Sequence, residues 1–427
     1  MRICFISRWN EGGWFAWLCK KAGHQVTLVV EEESCIEALS GLIEAQPSAG
    51  SPSDYDLIVY DASGMGEDAD ESRAITPTIG GSELADTLEH DRVAGLEFME
   101  RCGIRVPTWE HFTDVSDGIR YIKQRKKPMV FKPCGKDADT SCTYVSSSPE
   151  DMLQYIDLLY RQNPQKEFVL QEVVKGTEIS MEMWMNESGY YAVNATLEAK
   201  KLMAGNIGPA TGCAGNVVWM MGEKEPVVFE RGLKKAFEPL RELGYVGMAD
   251  LNSIVTDEGV FGLEWTCRFG YEGTCNLTRL LPIEFGEFMG RVAENAPMPT
   301  LTPSEGFCAS IRIGIPPYPL PKLPDKMYRK GVPIGGLDPE KLEHFFARDV
   351  CVSENDADRL ETAGVDGWIG SVLAVGPTIH DAFSAANDMV KSLKIPDMMY
   401  RNDLEPIFVR RYLELREGGW LKSTHSR

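Results

Sequence analysis

Between Met129 and Asn295 the chain reads as seven strand-like runs: Met129–Lys132, Cys142–Val145, Phe168–Val174, Glu178–Met185, Tyr190–Leu197, Val246–Thr256 and Val260–Arg268. Few helical stretches interrupt them, at Pro149–Arg161, Val227–Leu243 and Leu280–Glu294. Strands that follow one another directly, rather than alternating with helices, pair as an antiparallel sheet. Thr256-Asp-Glu-Gly259 has the composition of a hairpin turn and joins the last two. The region is therefore α+β, and it must be flanked by something different. Before it, strands at Arg2–Ile6, Val26–Val30 and Leu57–Tyr60 alternate with helices expected at Trp14–Lys21 and Ile36–Ala45, the pattern of a doubly wound parallel unit. Gly64–Ser82, polar and rich in acids, reads as a long surface loop. Leu88–Arg101 reads as a helix, and Pro107 forces the GIRVP segment to extend.

Proline-rich connectors at Ala296–Pro303 and Pro316–Pro324 border a last portion, with strands at Cys308–Ile315 and Val372–Val375 and a helix at Ile379–Leu393. The expected division is 1–85 for an N-terminal α/β domain, 86–300 for the central domain and 301–427 for a small C-terminal α/β domain and tail.

The 427 residues carry 44 Lys and Arg against 64 Asp and Glu, a net charge of −20. Such a surface opposes binding to a nucleic-acid backbone, though a local cluster of donors can still hold a phosphorylated small molecule. No run approaches the roughly 18 apolar residues of a membrane span. The start, MRICFISRW, is too soon interrupted for a signal peptide, so the expected location is cytoplasmic. Eleven cysteines occur without a C-x-x-C pair, and the six histidines are isolated, which disfavours disulfide frameworks and zinc sites.

Four features ask for a common explanation: VFKPCGKDADTSCTYV, VLQEVVKGTEIS, GNIGPATGCAG and a hairpin bearing Asp250 on one strand with Glu264 and Arg268 on the other. Lys132 ends a strand and can hold a phosphate as a point charge, with Lys136 a second ammonium in the loop that follows. Glu264, Thr266 and Arg268 fall at i, i+2 and i+4, on one face of a strand. Asp250 is expected close enough in register to face Glu264, and paired carboxylates suit Mg²⁺, a hard cation that takes oxygen ligands. Arg268 could clamp an anionic oxygen.

In this order the segments resemble the ATP-grasp superfamily and, within it, the glycinamide ribonucleotide synthetases. VFKPCGK resembles the family's strand–lysine–loop, QEVVKGTEIS its acidic hinge, GPATGCAG its G-P-N-T-G-G-M-G and LEWTCRFG its L-E-x-N-x-R-F-G. LEHDRVAGLEFMERCGIRVPTW, KGVPIGGL, SVLAVGPTIHDAF and YRNDL resemble flanking segments. The resemblance implies a pre-ATP-grasp domain, an ATP-grasp domain and a small C-terminal domain. It implies ATP held by Lys132 and Lys136, with Gln171, Glu172 and Val174 at the adenine hinge and Glu178 on the ribose. Asp250, Glu264 and Thr266 would ligate Mg²⁺, or Mn²⁺ in its place. Lys200 would face the acyl-donor site, Gly208, Pro209, Thr211 and Gly212 would bind substrate, and Arg268 would steady the transferring phosphoryl group.

The implied reaction joins glycine or another small amino acid to an amine such as phosphoribosylamine through an acyl phosphate, in a monomer or homodimer that needs neither membrane nor nucleic-acid polymer. The sequence departs from the family in one quarter. The first loop keeps Gly12 and Gly13, but Trp14, Phe15 and Ala16 replace the Arg, Glu and His that hold the phosphoribosyl group. Ser371 replaces an Arg in the C-terminal portion, Tyr271-Glu272-Gly273-Thr274 replaces D-P-E-T, Thr266 replaces an Asn, and Thr140 replaces the second loop Lys. Trp9, Trp14, Phe15 and Trp17 are open to two readings, core of the first helix or a stacking wall for an aromatic or nucleobase-bearing acceptor. Two rivals stay open: the same ligase chemistry on another amine, and an impaired scaffold that binds a nucleotide or a partner.

Overall fold

The computed structural model describes residues 1–134, 143–162, 167–221, 225–297, 306–320, 329–337 and 339–422. Strands β1 (Arg2–Ser7), β2 (Gln25–Val30), β3 (Ala45–Gln46), β4 (Leu57–Tyr60) and β5 (Thr78–Ile79) form a parallel sheet in the order β3-β2-β1-β4-β5. This is the doubly wound unit expected. Its first helix, α1 (Gly13–Lys21), buries Trp14, Phe15, Ala16, Trp17 and Cys19, because the run GWFAWLC offers no polar face. The helix expected at Ile36–Ala45 is absent. Leu39 and Gly41 take positive φ, which a right-handed helix cannot contain, and the segment turns instead. Conversely, the expected loop Gly64–Ser82 holds helix α2 (Gly66–Arg73) and β5. Glu67 and Asp68 in the first turn and Arg73 in the last complement its dipole, so a strongly polar segment still forms a helix.

The helix expected from Leu88 is two, α3 (Glu83–His90) and α4 (Arg92–Arg101). Asp91 divides them, leaving helical geometry to accept from the backbone N–H groups of Val93 and Ala94, both at 3.0 Å. Strands β6 (Trp109–Phe112), β7 (Met129–Cys134), β8 (Tyr144–Val145) and β9 (Glu167–Glu172) make a small sheet in the order β6-β9-β7-β8. With helices α5 (Val115–Arg125) and α6 (Pro149–Gln162) they enclose a separate core around Phe112, Phe131, Met152 and Phe168.

The next strands are β10 (Thr177–Asn186), β11 (Gly189–Met203), β12 (Ile207–Met220), β13 (Gly247–Thr256), β14 (Gly259–Thr266) and β15 (Phe307–Gly314). After them come β16 (Pro333–Ile334), β17 (Phe345–Ala347), β18 (Cys351–Ser353), β19 (Asp356–Glu361) and β20 (Trp368–Gly376). One antiparallel sheet of eight runs β14-β13-β10-β11-β12-β15-β20-β17, while β16, β19 and β18 form a small sheet of three. The large sheet therefore continues across residue 300, and the strands given to a C-terminal domain extend the central one.

The helix expected over Val227–Leu243 is α7 (Val227–Arg231), a 3-10 turn and α8 (Phe237–Glu242). The helix expected over Leu280–Glu294 starts later, as α10 (Phe285–Ala293), because Pro282 keeps residue 281 extended, and a helix not expected from the sequence, α9 (Glu272–Leu280), precedes it. Helices α11 (Ile379–Ser392) and α12 (Leu404–Glu417) end the chain's regular structure. The main core joins both large units: Phe15 of α1 packs on Phe269, Phe285 and Phe346 with ring centroids 5.2–6.1 Å apart. Among the described residues no helix is long and apolar enough to cross a membrane.

Candidate active site

Where the small sheet meets the large one, the chain from Glu172 to Thr177 borders a cavity of about 650 Å³. Pro107, Phe261, Glu414 and Trp420 close its other sides. Glu172 and Val174 stand at this hinge as expected. Gln171 does not line it: the side chain is buried in the small sheet, with Nε2 lacking a partner among the described residues. The contribution of α12 and Trp420 is not foreshadowed by any motif. Arg411 of α12 fastens that wall by donating to the carbonyls of Glu178 and, at 2.7 Å, Glu198.

Further along β14 from Phe261, and outside the cavity lining, three cations surround one carboxylate. Arg92 Nη1 donates to Glu264 Oε2 at 2.9 Å, and Lys200 Nζ lies 3.6 Å from Oε1. Lys132, buried at the end of β7, donates to the Leu263 carbonyl at 3.0 Å, next to the same group. Burial lowers the Lys132 pKa to about 8, opposed by Glu264 and assisted by Arg92 and Lys200. Burial also disfavours the Glu264 charge, but Lys200, Arg92 and Lys132 outweigh it and hold the carboxyl well below its usual range. Lys200 is desolvated too, yet Glu178, Glu264 and Glu198 raise its pKa. Its 2.8 Å ion pair with Glu178 directs that carboxylate to the cation cluster, not to the cavity where a ribose was expected to meet it. Arg92 and Glu89, which the sequence reading missed, sit on α4 and α3; Asp91 caps the helix between them.

The hairpin departs from the expected register. Glu264 opposes Asn252, and Asp250 opposes Thr266, so the two carboxylates are diagonal neighbours instead of facing partners. The bulge between Asn252 and Ser253 accounts for counts that do not match across the turn. The result is still a patch of oxygen donors on one face: Asp250, Asn252, Glu264 and Thr266. Asn252 is buried and its Oδ1 lacks a partner among the described residues. An all-oxygen set with a spare buried carbonyl oxygen fits a hard divalent cation. Asp250 meanwhile accepts from the Ser180 hydroxyl, and burial pushes its pKa well up.

GNIGPATGCAG is not a loop but the start of β12, turning back from β11 through exposed residues. Gly208 and Gly212 have φ of +82° and +74°, conformations that glycine adopts freely, while Thr211 Oγ1 ties back to the Lys200 carbonyl at 3.2 Å. Pro209 is exposed on the same hairpin. Arg268 donates to Glu89 at 3.0 Å and lies over the Tyr271 ring at 5.5 Å.

Gly12 caps α1 and Gly13 begins it, one residue before the helix start expected at Trp14, and Trp14 reaches no substrate surface. It is fully buried, with Nε1 donating to the Leu342 carbonyl at 2.8 Å. Phe15 and Trp17 are core as well, and Trp9 lies exposed beneath Arg8. Trp14, Phe15 and Trp17 are therefore core and form no stacking wall, while Trp9 belongs to neither reading. Lys136 and Thr140 lie outside the described residues.

Residues 94–274 match the family model described as phosphoribosylglycinamide synthetase, ATP-grasp (A) domain. A phosphoribosylamine–glycine ligase of Listeria innocua is 23% identical over 333 residues, covering 75% of this chain and 76% of that one. Its counterpart from Streptococcus suis is 22% identical over 81% of both. Among solved structures, phosphoribosylamine–glycine ligase of Thermotoga maritima superposes with a TM-score of 0.71 at 19% identity, over 94% of this chain and all of that one. Biotin carboxylase of Campylobacter jejuni gives 0.65 at 13% identity, over 98% and 94%.

Proposed function

We propose that this chain, an ATP-grasp protein like the phosphoribosylamine–glycine ligases, is an ATP-dependent carbon–nitrogen ligase. It activates glycine or another small amino acid and passes the acyl group to an amine. The observation that carries the reading is the convergence of Lys132, Arg92 and Lys200 on Glu264 beside a cavity of nucleotide size. In a chain of net charge −20, three cations gathered around one carboxylate make a receptor for phosphate oxygens.

In the first step a carboxylate oxygen of the amino acid bonds to the γ-phosphorus while the bond to the ADP oxygen breaks. In the second the neutral amine nitrogen bonds to the acyl carbon, the carbon–oxygen bond to phosphate breaks, and the nitrogen gives a proton to solvent. Neither step needs a protein nucleophile; both need positioned cations where charge moves. Lys132 meets the phosphate chain from the end of β7. Lys200, fixed between Glu178 and Glu264, stands between the phosphates and the acyl donor. Arg268, held by Glu89, would steady the transferring phosphoryl group. A divalent ion on Glu264 and Thr266, with Asn252 and Asp250 beside them, would add charge neutralisation on the phosphates.

ADP release with a panel of amino acids and amines tests the reading. Release that requires one small amino acid together with an amine is expected. ATP binding without release for any pair would leave a nucleotide-binding scaffold and refute the ligase.

A further inference from the structure

The positive end of a helix is where an anion is most readily held. At the start of α1 the protein places its own carboxylate. Asp61, just past β4, is 1% exposed, and its Oδ2 accepts from Ser7 Oγ at 2.7 Å. Ser7 Oγ in turn accepts from the Gly12 N–H at 3.2 Å. The approach is so close that a Cβ on Gly12 would lie 2.7 Å from the same Oδ2.

The surroundings hold polar atoms that find no hydrogen-bond partner among the described residues: Asp61 Oδ1, Glu11 Oε2, Arg348 Nε and Nη1, and Trp368 Nε1. Arg348 is 3% exposed, with Nε 3.9 Å from Glu11 and Nη2 3.6 Å from Asp366. Buried groups of this kind are normally satisfied, so a cluster of both donors and acceptors marks a place for a ligand that supplies both. The cluster also reaches the reacting centre. Glu11 lies beside Tyr271, burial and then Glu11 raise the pKa of its hydroxyl, the Tyr271 ring underlies Arg268, and Tyr271 sits at the strained φ of +23°.

Its charge is wrong for a phosphate. Glu11 and Asp366 share one guanidinium, Arg348, Asp61 is a third acid beside Glu11, and the other cations nearby, Arg268 and the Arg312 that lies 3.8 Å over the Trp368 ring, are held by Glu89 and Glu272. We propose that this is the pocket for the acceptor amine, that the Asp61 carboxylate stands where a ligand phosphate would be held, and that the amine is accordingly unphosphorylated and hydroxyl- or amino-bearing. Only the word acceptor rests on the ligase reading; the exclusion of phosphate rests on Asp61.

Calorimetric titration of the full chain with ribose 5-phosphate, and separately with inorganic phosphate, tests it without turnover. The native protein should bind neither measurably, and Asp61→Asn should bind ribose 5-phosphate at least about tenfold tighter than the weakest affinity the titration detects. Binding by the native protein that Asp61→Asn leaves unchanged, or no binding by either, overturns the proposal. Should Asp61→Asn fail to fold, Glu11→Gln provides the second reading, with a smaller gain expected. Binding of ribose 5-phosphate by native protein overturns the proposal whatever the variants do. A separate trap of the acyl phosphate with hydroxylamine bypasses this pocket, so loss of that product would sink the ligase reading, and the acceptor role with it, and leave the exclusion of phosphate standing.

Discussion

Lys132 gives the site a pH signature. Its pKa falls from an ordinary 10.5 to about 8 because the ammonium is buried, and Glu264 only partly compensates. The difference of 2.5 corresponds to about 3.4 kcal/mol by which the folded chain disfavours the charge at neutral pH. Sign follows directly: the folded state binds this proton more weakly, so Lys132 costs stability below pH 8 and the cost fades between pH 8 and 10.5. Nucleotide phosphates beside Nζ supply the missing counter-charge and lift the pKa toward its ordinary value. ATP binding should then take up about half a proton at pH 8 and about 0.9 at pH 9. Affinity should fall by up to about tenfold per pH unit between 8 and 10, a range in which ATP itself is already fully ionised. Calorimetry in two buffers of different ionisation enthalpy reads the proton count directly. Lys132→Met should abolish the uptake and flatten the profile. Uptake that is absent in the native protein, or that survives in Lys132→Met, would refute the placement of this lysine on the phosphates.

Glu264→Gln removes the carboxylate that gathers Arg92, Lys200 and Lys132, and turnover should fall below detection while a melting curve shows the fold intact; near-native ADP release would contradict the site. Asn252→Leu should weaken Mn²⁺ binding by the nucleotide complex, read by electron paramagnetic resonance, and unchanged binding would remove Asn252 from the donor set. Trp14→Ala deletes a fully buried side chain and should cost about 3–5 kcal/mol in denaturant unfolding. A change under about 1 kcal/mol would place Trp14 outside the core. Burial raises Asp61 to about 7, so the folded state favours its proton and loses stability as pH rises from 3.8 to 7. Asp61→Asn should therefore melt higher than native at pH 8 and lose that advantage near pH 4, and a pH-independent difference would argue against the buried carboxyl.

The strands were legible because their alternation and turn residues are local. Thr256 to Gly259 does close the hairpin, and the parallel unit is where strand and helix alternate. What failed depended on distance. A cross-strand register shifts with one bulge, so Asp250 was matched to Glu264 when Thr266 opposes it. Trp14 looked free for a ligand because its partners, Leu342 and Phe346, lie more than three hundred residues away. Arg92 and Glu89 carried no motif, being ordinary helix residues until α3 and α4 pack beside β14. Asp61 is a single acid at a strand end, and only the closeness of Gly12 shows its place at the helix terminus. Of the site, Lys132, Lys200 and Glu264 were found from order along the chain, and the structure brings these three together.

The central claim is an acyl phosphate formed from an amino acid and ATP. Hydroxylamine intercepts such a species whatever the natural amine is, giving a hydroxamate that ferric ion colours. With ATP, Mg²⁺ and glycine or another small amino acid, the chain should yield hydroxamate and ADP in equal amounts, and Glu264→Gln should yield neither. Absence of hydroxamate with every small amino acid, in a protein that binds ATP, would contradict the account.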